Sequence, residues 1–156
     1  MKIIGIDPGY AIVGYSIIEI QKNKKLLLKY GTIETSPKYE FTDRLCEIYD
    51  KFNYILQEFK PDFASIESLL FQNNQKKAIK VAEARGIILL SLKKFGTKIL
   101  ELTPLQVKHS LTGFGKATKQ QIILMTKKIL NLKEQIKPDD AADACALALS
   151  GSLLVK

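Results

Sequence analysis

The stretch Ile3-Ile4-Gly5-Ile6-Asp7-Pro8-Gly9 constrains this chain more than any other. Apolar, mostly β-branched residues run directly into one acid, the pattern of a buried central strand. Pro8 removes a backbone donor and Gly9 permits a tight turn, so the chain reverses just after the carboxylate. Asp7 therefore stands at the lip of a sheet. Burying a carboxylate is unfavourable unless something pairs with it. Asp7 either closes a turn onto its own backbone or serves as a metal ligand or general base.

The rest of the chain supplies the sheet and its helices. Ile12 to Ile18 reads as a second strand, Gln21 to Lys25 as a polar turn, and Leu26 to Ile33 as a third strand, which makes an N-terminal antiparallel meander. Leu45, Ile48, Tyr49, Phe52, Ile55, Leu56 and Phe59 recur at helical spacing until Lys60-Pro61-Asp62 breaks the run. Phe63-Ala64-Ser65-Ile66-Glu67 is a short strand that again ends on an acid. A long helix covers residues 75 to 95, with Ala78, Ala82 and Gly86 four apart on one face. Small residues so spaced serve either close packing on the chain's own sheet or a dimer seam. Thr97 to Glu101 reads as a strand, and Thr103-Pro104 as the cap and first residue of a short helix. A Gly-containing loop spans Leu111 to Lys116. Helices then run from Thr118 to Leu130 and from Pro138 to Leu154. Strands come first and then alternate with helices, so the fold is α/β with a mixed sheet. At 156 residues the expectation is one domain, 1–156.

Three element ends now carry acids: Asp7, Glu67 and the cluster Asp139-Asp140-Ala141-Ala142-Asp143. Asp140 and Asp143 are three apart and Asp139 and Asp143 four apart, so either pair shares a helix face. An acid in a first helical turn complements the helix dipole, which accounts for Asp139 or Asp140 but poorly for Asp143. Its surroundings, Ala-Ala-Asp-Ala-Cys-Ala, are those of a packed helix with its acid aimed at something. All-oxygen carboxylate sites suit Mg²⁺ or Mn²⁺, and a pair of such ions can activate water and stabilise the leaving oxygen of a phosphodiester. No Ser-His pair offers other chemistry. His109, Cys46 and Cys145 have no zinc-site spacing, and both cysteines, in apolar contexts, read as structural thiols of a reducing cytoplasm. Lys and Arg number 24 against 16 Asp and Glu, a net charge of +8, which suggests a polyanionic partner. No run of 18 apolar residues offers a transmembrane helix, and the N-terminus lacks the form of a signal peptide.

Five ordered motifs resemble those of the RuvC Holliday-junction resolvases. They are Gly5-Ile6-Asp7-Pro8-Gly9 with Gly14-Tyr15; Ser65-Ile66-Glu67 after Lys60-Pro61-Asp62; and Asn74, Ala78, Lys80 and Ala84-Arg85-Gly86. A basic segment from Thr103-Pro104 through Gln106-Val107-Lys108, Leu111-Thr112-Gly113 and Gly115-Lys116-Ala117 to Lys119 follows, and then Asp140-Ala141-Ala142-Asp143-Ala144. The resemblance runs from Ile3 to about Leu149. It implies a ribonuclease-H-like five-stranded mixed sheet with helices on both faces, a homodimer, and Mg²⁺-dependent paired nicking of a four-way DNA junction, with two ions per site and Mn²⁺ able to substitute. It implies that Asp7, Glu67, Asp140 and Asp143 are the metal carboxylates, choosing Asp140 over Asp139. It makes Lys108 and Lys119 phosphate-contacting residues near the scissile site, Lys119 counted with the catalytic set, and the Lys-rich loop between two helices adds Lys116 to the expected DNA path. Leu70, where relatives carry a junction-stacking Phe, its neighbour Phe71, and Asn74 are further expected DNA contacts. The branch-migration proteins RuvA and RuvB are possible partners. The rivals are a YqgF-like RNA-processing nuclease of the same fold, an actin- or sugar-kinase-like ATPase, for which one DxG in 156 residues is too little, and a junction-binding protein without catalysis, which would lack one of the four acids.

Overall fold

The computed structural model describes residues 1–22, 24–68 and 75–155. The elements in order are β1 (Lys2–Asp7), β2 (Ile12–Gln21), β3 (Lys24–Glu34), α1 (Phe41–Phe59), β4 (Phe63–Glu67), α2 (Gln75–Phe95), β5 (Lys98–Leu102), α3 (Pro104–Thr112), α4 (Lys119–Ile129) and α5 (Asp139–Leu154). The five strands form one mixed sheet in the order β3-β2-β1-β4-β5. β1, β2 and β3 pair antiparallel, while β4 runs parallel to β1 and to β5. β1 is the middle strand, as its apolar run predicts. The second and third strands are longer than their sequence suggests. Pairing continues through Glu19↔Leu26 and Gln21↔Lys24, where polar side chains are tolerated near the sheet's edge.

Strand parity sorts the two layers. Ile4 and Ile6 of β1, Val13 and Ile17 of β2, and Ala64 and Ile66 of β4 pack with Ile48, Phe52 and Leu56 of α1 and Ala84, Ile88 and Leu92 of α2. Ile3 and Ile18 join the opposite layer with Leu111, Ile122 and the alanine-rich α5. Residues 5, 7, 65 and 67 share the parity of Ile3 or its neighbour Phe63, so Asp7 and Glu67 both face the α5 side. Each fully buried Ile or Leu removes apolar area worth roughly 1.5–3 kcal/mol, and both layers hold many of them.

Helix α5 lies unusually close to the sheet. A Cβ on Gly5 would run into the Ala144 carbonyl, and one on Gly14 into the Asp140 carbonyl. Ser16 Oγ donates to the Ala144 carbonyl at 3.0 Å, fixing the helix along its axis. Alanines, two sheet glycines and a serine are therefore what let backbone approach backbone here. The contact over Gly14 matters most, because Gly14 is the antiparallel partner of Asp7.

One open alternative is narrowed and one expectation changes. Among the described residues the Ala78-Ala82-Gly86 face does not pack on the chain's own sheet: Ala84, Ile88 and Leu92 make that contact, Ala78 is half-buried, Ala82 is exposed, and a Cβ on Gly86 would meet nothing described within 4 Å. Cys46 is exposed on α1 and only Cys145 is a buried thiol, because Cys46 lies on the side of the helical wheel opposite the core positions Ile48, Phe52 and Ile55.

Candidate active site

The parallel register of β1 and β4 runs Ile3↔Phe63 to Ile6↔Ile66. One further step sets Asp7 beside Glu67, on strands about 4.8 Å apart. Both acids thus leave the sheet at the carboxyl ends of neighbouring parallel strands and on the same face. The turn after Asp7 is pinned from behind. Thr35 Oγ1 donates to the Tyr10 carbonyl at 2.7 Å, and the buried Arg44 donates to Thr35 Oγ1 at 2.9 Å and to the Tyr10 carbonyl at 3.3 Å.

The first turn of α5 is held over Gly14, which brings its acids to the same end of the sheet. Asp143, one turn on from Asp140, faces a cleft of about 240 Å³ lined by Asp7, Glu67, Lys108, Lys119 and Asp143 with Pro104, Val107, Ile122 and Leu147. The basic wall comes from α3 and α4. Thr103 and Thr118 cap these helices, each accepting from the backbone N–H of Gln106 or Gln121 and donating its own backbone N–H to that glutamine's side-chain oxygen. The caps fix where the two helices start, and so where Lys108 and Lys119 project.

The charges in this cleft are poorly balanced. Burial first, then the charges of Glu67, Asp143 and Asp140, push the Asp7 carboxyl up to about 7, against a smaller opposing pull from Lys119. Burial and Asp143 likewise raise Glu67. Partial burial works against the charge of Lys119, but its bonds to Asp139 and Asp143 prevail and raise it. Lys119 Nζ lies 3.1 Å from Asp139 Oδ2 and 3.2 Å from Asp143 Oδ2. The half-exposed Lys119 ammonium thus pairs with two members of a group of acids that repel one another.

Donor chemistry and charge both fit a hard divalent cation: the acids offer carboxylate oxygens alone, and Asp7 is held well above its ordinary range. Among the described residues the side chains do not close into a ready-made cage of three ligands. As placed, they surround the cleft, and a cation's charge is what would draw them in.

The structure brings together Asp7, Glu67, Asp143, Lys108 and Lys119. Asp140 sits at the same end, half-buried, and acts on Asp7 through its charge, although it does not line the cleft. Asp139 has 77% of its side chain exposed and pairs with Lys119, and it is not among the charges that raise Asp7. Lys116 is exposed in the loop before α4 and outside the cleft lining. The expected DNA contacts Leu70, Phe71 and Asn74 lie outside the described residues. Sequence reasoning gave no role to Arg85, which bonds the Glu67 main chain. The signal was present: only two of the 24 basic residues are arginines, Arg44 and Arg85, and both are buried.

A mixed sheet ordered β3-β2-β1-β4-β5, with acids at the ends of its central strands and on the helix laid across them, defines a ribonuclease-H-like nuclease. Residues 3–151 match the family model described as crossover junction endodeoxyribonuclease RuvC. The RuvC of Fusobacterium nucleatum is 49% identical over 150 residues, covering 96% of this chain and 79% of that one. The Thermus thermophilus RuvC structure superposes with a TM-score of 0.92 at 32% identity, over 98% of this chain and 94% of that one. The same protein in complex with Holliday junction substrate gives 0.94 at 32% identity, over 99% and 94%. The chain belongs to the RuvC family.

Proposed function

We propose that this chain resolves four-way DNA junctions by metal-dependent hydrolysis of two opposed strands, with Asp7, Glu67, Asp140 and Asp143 as the cation-binding acids. The observation that carries the reading is the cleft in which Asp7, Glu67 and Asp143 meet two lysines, with Asp7 raised to about 7 by burial and its acidic neighbours. Two Mg²⁺ ions bound there, or Mn²⁺ in their place, would supply an activated water and stabilisation of the leaving oxygen. The residues themselves do the rest. Lys108 and Lys119, on neighbouring helices of the same wall, hold the phosphate backbone and offset negative charge as it develops. Lys116 extends that basic track outside the cleft. Lys119, already shared between Asp143 and the exposed Asp139, is free to exchange one carboxylate partner for a phosphate without leaving the cleft.

A junction has two equivalent strands to cut and one chain carries one acid set, so resolution calls for a twofold homodimer. The uncovered Ala78-Ala82-Gly86 face, flanked by exposed Ile79 and Leu90, supports a seam along α2. None of the described helices is long and apolar enough to cross a membrane.

The test is substitution at the acids. Asp7→Asn, Glu67→Gln and Asp143→Asn should each abolish cleavage while sparing junction binding. Asp140→Asn should be inactive and Asp139→Asn close to wild type. A dead Asp139→Asn beside an active Asp140→Asn would overturn the assignment on α5.

A further inference from the structure

Arg85 has 8% of its surface exposed, yet it lies on α2, away from the basic wall of the cleft. Its Nε donates to the main-chain carbonyl of Glu67 at 3.1 Å, and its other arm bonds the Glu101 carboxylate on β5. The Glu67 carbonyl belongs to the last residue of β4. On the β5 side the ladder ends with Glu67 opposite Leu102 and with Ser68 N–H donating to the Leu102 carbonyl at 2.9 Å. The strand end is therefore anchored twice, by β5 through the ladder and by α2 through Arg85.

A glutamate carries its carboxylate on three rotatable bonds. It can present that group within a fraction of an ångström only if its backbone is itself held. A lysine in place of Arg85 could not reproduce the arrangement, because a planar fork takes two acceptors at once in fixed directions and an ammonium does not. Neither Arg85 nor Glu101 lines the cleft, so their route to the chemistry runs through Glu67.

We infer that Arg85, oriented by Glu101, is a positioning residue that sets the Glu67 carboxylate for divalent-cation binding. The inference rests on the reading of Glu67 as a metal ligand, and the experiment separates the two. Mn²⁺ binding to the full chain without DNA is measured by electron paramagnetic resonance for wild type, Glu67→Gln, Arg85→Met, Arg85→Lys, Glu101→Gln and the Glu67→Gln/Arg85→Met double variant.

Glu67→Gln and Arg85→Met should each weaken Mn²⁺ binding by about 10-fold or more. Arg85→Lys should recover only part of the loss, and Arg85→Met should add nothing on top of Glu67→Gln. Wild-type Mn²⁺ affinity in Arg85→Met, with Glu67→Gln weakened, overturns the inference and leaves the metal reading standing. A double variant that loses the product of the two single effects shows that Arg85 acts independently of Glu67, and overturns it too. Unchanged Mn²⁺ binding in Glu67→Gln overturns the metal reading and this inference with it. If Arg85→Met does not fold, Glu101→Gln carries the test, since 54% of the Glu101 side chain is exposed. It should weaken Mn²⁺ binding severalfold, and wild-type affinity there would refute the proposal.

Discussion

Asp7→Asn should stabilise the metal-free protein at alkaline pH. Asp7 is raised from 3.8 to about 7 in the folded chain by burial and by Glu67, Asp143 and Asp140. Below pH 3.8 the acid is protonated in both folded and unfolded states and does not affect stability. Between 3.8 and 7 the folded state keeps a proton that the unfolded state has lost, so stability falls as pH rises. Above 7 the whole penalty is present. At about 1.36 kcal/mol for each of roughly three pH units, that penalty approaches 4 kcal/mol. Replacing the carboxylate with a neutral amide of the same shape removes it. For a chain of this length the gain corresponds to a rise in melting temperature on the order of 10 °C at pH 8. The assay is a set of thermal or urea melts of both proteins in EDTA from pH 4 to pH 9. The two melting curves should converge at the acidic end and separate as pH rises through the window. Added Mg²⁺ should then stabilise wild type more than the variant, because the cation does for the carboxylate what the amide does by removing it. An Asp7→Asn protein no more stable than wild type at pH 8, or a difference that does not change with pH, would refute the electrostatic picture of this cleft.

Other outcomes follow from packing and from the lysines. Gly5→Ala forces a methyl group into the Ala144 carbonyl and should destabilise by about 1–3 kcal/mol in a urea melt. Lys119→Ala should lower the cleavage rate. Removing Lys108, Lys116 and Lys119 together should reduce the salt dependence of junction binding by about one unit for each phosphate no longer neutralised, read from binding isotherms at several salt concentrations. Ala82→Leu with Gly86→Leu should split a dimer in sedimentation and lower junction cutting while leaving the monomer's melt nearly unchanged, because these positions are uncovered in the single chain.

The centre of the sheet and two of its acids were legible because they lie on short-range patterns. An apolar run ending on Asp7, and another ending on Glu67, announce buried strands that each deliver an acid at the end. The cap of α3 was legible for the same reason, since a capping threonine acts within three residues. What depends on contacts between distant segments was not. Helical spacing alone could not choose between Asp139 and Asp140. Which of the two acts on Asp7 through its charge depends on where α5 docks, with the Asp140 backbone lying against Gly14. The uncovered face of α2 could not be told from a packed one, because small residues permit close approach whichever partner arrives. Arg85 stood in the Ala84-Arg85-Gly86 motif without a role, because its fork joins Glu67 to Glu101 across segments that local patterns do not pair.

Nicking of a synthetic four-way junction, compared with linear duplex and structured RNA and with Mg²⁺ present or chelated, tests the central claim most directly. The acid cleft and its basic wall predict paired, symmetric nicks in the junction when Mg²⁺ is present, little cutting of either other substrate, and none in EDTA. Metal-independent cutting, or a preference for structured RNA over the junction, would contradict it.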